Sequence, residues 1–86
     1  MNIEEQFSSL EILINEYNAR MIEDIGTPPL FNVHYERALG AIDVFKKIIV
    51  DSPNLIEQYK DMIARLEKSI SESYKKALDI YHRGSR

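Results

Sequence analysis

Apolar residues recur along this chain at helical spacing. In the first segment Ile3, Phe7, Leu10, Ile14, Tyr17 and Met21 follow one another at intervals alternating between four and three. That is the spacing of one helix face. Leu13, Ile22 and Ile25 widen the stripe toward a core-facing helix rather than a narrow coiled-coil seam. Asn2 followed by Glu5 has the form of a capping box with Asn in place of Ser or Thr. Gly26 is a natural stop. Glu23 and Asp24 would sit at the negative end of that helix's dipole, which is either a small local cost or the mark of a cation or basic side chain nearby.

Gly26-Thr27-Pro28-Pro29 is the first break. Proline fits only the first turn of a helix, so a second helix starts either at Pro28, capped by Thr27, or at Val33, capped by Asn32. It runs to about Val50 on the stripe Tyr35, Ala38, Ile42, Phe45 and Ile49, with Ala41, Val44 and Ile48 beside it. Gly40 inside it costs about 1 kcal/mol relative to Ala. Either a neighbouring backbone approaches closely there, or the glycine is simply exposed.

Asp51-Ser52-Pro53 is the second break, and Ser52 before Pro53 is a strong helix start. A third helix is expected from Pro53 to about His82, ending at Gly84. Its stripe is Ile56, Tyr59, Ile63, Leu66, Ile70, Tyr74, Ala77 and Tyr81. Asp61–Arg65, Lys68–Glu72 and Glu72–Lys76 are spaced to pair on its polar face. The fold expected is all-α: a single domain over residues 1–86, an antiparallel up-down-up three-helix bundle with a long C-terminal helix. Its core is expected to gather Phe7, Leu10, Ile14, Tyr17, Ala38, Ile42, Phe45, Tyr59, Ile63 and Leu66.

The 86 residues suffice for one core and no more. There is no cysteine, hence no disulfide and no thiolate metal site. No apolar run reaches the roughly 18 residues of a membrane span. The acidic start Met1-Asn2-Ile3-Glu4-Glu5 does not read as a signal peptide, so the cytoplasm is the expected compartment. Charge is uneven. Residues 1–25 hold Glu4, Glu5, Glu11, Glu16, Glu23 and Asp24 against one base, Arg20. Residues 60–86 are base-rich. An acidic first helix beside a basic last helix would satisfy both; so would contacts between copies or with a partner. The net charge of −3 does not suit nonspecific DNA binding.

Residues with chemical potential are few. His34 could pair with a carboxylate, but a surface or capping role is expected of both it and His82. Neither has a second His one turn away, so no helical zinc pair exists. Glu4/Glu5, Glu23/Asp24 and Glu57/Asp61 lack the Glu-x-x-His companion of a di-iron bundle. The serines lack a nucleophile elbow, and no phosphate-binding glycine loop occurs. No enzymatic activity, cofactor or metal is expected. A helix-turn-helix reading of the second break is weak, because Glu57 and Asp61 would oppose phosphates.

Helix lengths supply the functional expectation. At about 1.5 Å per residue the three helices measure roughly 36, 30 and 45 Å. The third then outruns its partners, with apolar side chains still on it, and an uncovered apolar end marks an interface. Tyr74, Leu78 and Tyr81, with Lys75 on the rim, are the expected protein-binding residues. The chain is thus expected to be a protein-binding module that is homo-oligomeric through this helix. It would be an adaptor or inhibitor acting on a larger protein, of the size common among adaptors of phages and mobile elements. No nucleic acid or membrane is expected among its partners.

The stretch Pro53-Asn54-Leu55-Ile56-Glu57-Gln58-Tyr59-Lys60-Asp61-Met62-Ile63 resembles the second helix of type III secretion needle subunits. That resemblance implies a helical hairpin that assembles with copies of itself, a structural-subunit alternative to the adaptor. The polar tail Tyr81-His82-Arg83-Gly84-Ser85-Arg86 departs from that family's apolar C-terminus, and a hairpin has no ready place for the first helix.

Overall fold

The structure is a computed structural model that describes residues 2–24 and 28–84. Three helices, α1 (Ile3–Glu23), α2 (Pro28–Ile49) and α3 (Pro53–Gly84), pack pairwise around one core. Each start has a local cause. The Asn2 side-chain oxygen accepts from the Glu5 N–H at 2.8 Å and caps α1. The Ser52 hydroxyl lies 3.4 Å from the Leu55 N–H and caps α3, with Pro53 in its first turn. α1 ends at Glu23, and Asp24 closes it by donating its N–H to the Arg20 carbonyl. Gly26 and Thr27, the expected stop and cap, lie outside the described residues.

α2 begins at Pro28 and not at Val33; Asn32 lies inside it. Ring contacts fix the register. Phe7 packs on Phe45 and on Tyr59, with centroids 5.2 and 5.0 Å apart, and Phe45 meets Tyr59 edge-on at 5.4 Å. These three rings come one from each helix and close the core near the α2–α3 turn. Higher up, Tyr17 lies over His34 and Tyr35 stacks on Tyr74 at 4.1 Å. α1 and α3 therefore run parallel, with α2 antiparallel to both. A hydrogen bond of 3.1 Å from the Asn18 amide to the Ser69 hydroxyl holds α1 to α3.

Eight of the ten expected core residues are buried; Tyr17 and Leu66 are half-buried against the core. Met21, Phe31, Ile49, Ile70 and Ala77 complete it. Gly40 faces open space, so a close backbone approach is not the reason for that glycine. The acids of α1 and the bases of α3 form no ion pair with each other among the described residues. The ion pairs between helices are His34–Asp24 and Lys46–Glu67, and the remainder join residues of one helix. Of the expected pairs on α3, Lys68–Glu72 stands at 4.0 Å, while Asp61–Arg65 and Glu72–Lys76 are not made.

Candidate functional site

The expected patch at the end of α3 is covered by its own chain. Phe31 is 1% exposed and lies 5.9 Å, centroid to centroid, from both Tyr74 and Tyr81. The Tyr74 hydroxyl donates to the Asn32 side-chain oxygen at 2.6 Å. Tyr74, Leu78 and Tyr81 are half-buried against the core, and of the four expected binding residues only Lys75 is exposed. The cause is the early start of α2. Its first two turns run beside the last turns of α3, so the overhang inferred from helix lengths is filled by Phe31 and Tyr35. The premise of an uncovered apolar tip is overturned; among the described residues of α3 from Tyr74 onward, Ile80 is the most exposed large apolar side chain, at 37%.

His34 is buried rather than superficial. Its Nε2 lies 2.6 Å from a carboxylate oxygen of Asp24, the residue that closes α1. The basic side chain expected near Glu23 and Asp24 is therefore His34. With its hydrogen on Nε2 the ring donates to Asp24, and its Nδ1 is left buried without a partner. The pair joins the end of α1 to α2 as a clip, and His34 does not line the three grooves along the helices between Asn2 and Glu67. Among the described residues no three His, Asp or Glu side chains gather as a metal site would require. No helix there is long and apolar enough to cross a membrane.

Exposed apolar surface lies toward the opposite pole. A shallow groove of about 480 Å³ runs between α1 and α2, lined by Gln6, Ser9, Leu13, Ala41, Val44 and Ile48 over the buried Leu10 and Phe45. Val44 and Ile48 in its lining are 59% and 49% exposed, and Ile12, outside the lining on α1, is 69% exposed. The cause is legible in α2, which carries apolar residues on two sides. Phe31, Ala38, Ile42, Phe45 and Ile49 face inward, and at 100° per residue Ala41, Val44 and Ile48 fall on its outer flank beside α1. A second groove of about 330 Å³, between α2 and α3, is lined by Ile49, Val50, Ile56 and Ile63, with Lys46, Lys60 and Glu67 at its rim. Lys46 is spanned to Glu67 at 3.0 Å across that groove.

Charged residues stand along both helices outside the groove lining. The register set by Phe7–Phe45 brings Glu5 level with Lys47, and that of Tyr17–His34 brings Glu16 level with Tyr35, two residues from Arg37. Glu5, Glu16, Arg37 and Lys47 are exposed, and none of them lines the groove. Sequence reasoning named Val44, Ile48 and Leu13 only as flanks of core stripes; the excess width of the α2 stripe was the signal that they exceed what one core needs.

No protein-family model, no curated protein and no solved structure matches this chain. The resemblance to needle subunits thus rests on the eleven residues Pro53 to Ile63 alone.

Proposed function

We propose that the chain is a non-enzymatic protein-binding module. Its three-helix scaffold presents the α1–α2 face to an amphipathic helix of a protein partner, as an adaptor or inhibitor would. The single observation that supports this reading is the pair Val44 and Ile48, large apolar side chains left in water in the lining of a shallow groove. Apolar surface gathered in this way favours association, because covering it releases the water held against it. An apolar helix laid in the groove is a recurrent recognition mode.

The test is capture of partners by the intact chain and by the double variant Val44→Asp, Ile48→Asp. Both positions are exposed, so the variant should keep its helical circular dichroism and its melting temperature while losing the captured partner. Equal capture by both proteins would remove this face from the reading.

A further inference from the structure

We propose that α1 is a removable cover, which comes away as a unit from an intact α2–α3 pair and gives the chain an open state short of full unfolding. Stability is not uniform across a structure, and the element with the poorest interfaces opens first. α2 is joined to a helix at both ends, so the choice lies between α1 and α3. Apolar burial gives α1 no advantage. Each of the two contributes four buried residues to the core among the described residues: Phe7, Leu10, Ile14 and Met21 from α1, and Tyr59, Ile63, Ile70 and Ala77 from α3. To these α3 adds Leu55, Leu66, Tyr74, Leu78 and Tyr81 half-buried, against Ile3, Tyr17 and Ile22 of α1.

Polar groups decide between them. The Oε1 of Gln6, the Oδ1 of Asn18 and the Nδ1 of His34 are buried without a hydrogen-bond partner. Gln6 and Asn18 belong to α1. His34 is the α2 residue that α1 covers with Tyr17 and clips with Asp24. A buried polar group without a partner costs free energy that is recovered when water reaches it, so each of the three favours the departure of α1. The hydrogen bonds that hold α1, Asn18 to Ser69 at 3.1 Å and His34 to Asp24 at 2.6 Å, are exchanged for bonds to water in the same step. The α2–α3 contact has none of these defects among the described residues. There the Tyr74 hydroxyl donates to Asn32, Lys46 reaches Glu67, and Phe31 and Tyr35 pack on the Tyr74 ring. Opening also governs the α1–α2 face. Gln6, Ser9, Leu10 and Leu13 supply one wall of its groove, which therefore exists only while α1 is docked. Departure of α1 uncovers Phe45 and Tyr59, on which Phe7 packs, and replaces a shallow groove by an open apolar trough.

Native-state hydrogen exchange of the full chain, read residue by residue by NMR, tests this. The amides of residues 10–17 should exchange together, at least about tenfold faster than those of residues 42–45 and 63–70. Two variants separate an opening of α1 from unfolding of the whole bundle. Tyr74→Phe removes the hydroxyl bound to Asn32 and weakens the α2–α3 pair in the closed and the open state alike. It should speed exchange in α2 and α3 and leave α1 unchanged. Gly40→Ala strengthens α2 in both states, and should slow exchange in α2 and α3 and again leave α1 unchanged. Circular dichroism checks that each variant stays folded. Amides of α1 that exchange no faster than those of α2 and α3 overturn the inference. So do rates that fall steadily from Ile3 to reach those of α2 by Tyr17, as fraying of a free end gives, or a variant that moves all three helices together.

Discussion

Phe31 and Tyr81 meet with ring centroids 5.9 Å apart, and that contact closes the end of the bundle far from the α2–α3 turn. It joins the second turn of α2 to the penultimate turn of α3. The last third of α3 therefore belongs to the core and is not an arm extended from it.

Phe31→Ala should be among the most damaging single changes, at about 3–5 kcal/mol for a fully buried aromatic ring. Urea unfolding followed by circular dichroism measures it. A loss below about 1 kcal/mol would show that the α3 end is held by something other than this ring. By the same reasoning a chain ending at Ser73, which lacks Tyr74 and Tyr81, should be markedly less stable than the full chain. A truncated chain that melts like the full one would contradict the packing seen here.

Phe45→Ala removes the α2 member of the Phe7–Phe45–Tyr59 cluster, at which all three helices meet. The expected cost is again about 3–5 kcal/mol, enough to unfold most molecules of a domain this small. Unchanged thermal melting would mean that α2 is rotated away from its described register.

Asp24→Ala leaves His34 Nε2 buried without its partner. The expected cost is about 1–3 kcal/mol, the desolvation penalty of an unsatisfied buried polar group. Asp24→Asn keeps an acceptor oxygen in place and should cost less. Chemical denaturation of the two variants side by side is the measurement, and equal losses would mean that the hydrogen bond contributes nothing.

Gly40→Ala should stabilise the chain by about 0.5–1 kcal/mol, because the added methyl group meets no atom within 4 Å and the helix gains propensity. Thermal melting reads this directly. A lower melting temperature would indicate a crowding around α2 that the structure does not contain.

The bundle and most of its core were legible from spacing alone, since Phe7, Leu10 and Ile14 or Ile42, Phe45 and Ile49 repeat at helical intervals with capped breaks between them. The α1–α2 face proposed as the binding surface was not. Two admissible starts for α2 differed by more than one turn, and a stripe begun at Tyr35 left out Phe31, which lies one four-residue step before it. Without Phe31 the α3 tip looked bare, and the binding patch was sought there. His34 was misjudged for a similar reason. A histidine near a helix start reads as superficial until the antiparallel neighbour brings Asp24 and Tyr17 against it, and that contact is tertiary.

Because α1 and α3 point the same way, Asn2 lies beside Leu55 and Tyr59 at one pole, while Arg83 lies at the other, along a long axis of 50 Å. Fluorophores attached at those two positions would be held apart by the folded chain, so their energy transfer would report on the state of the whole bundle.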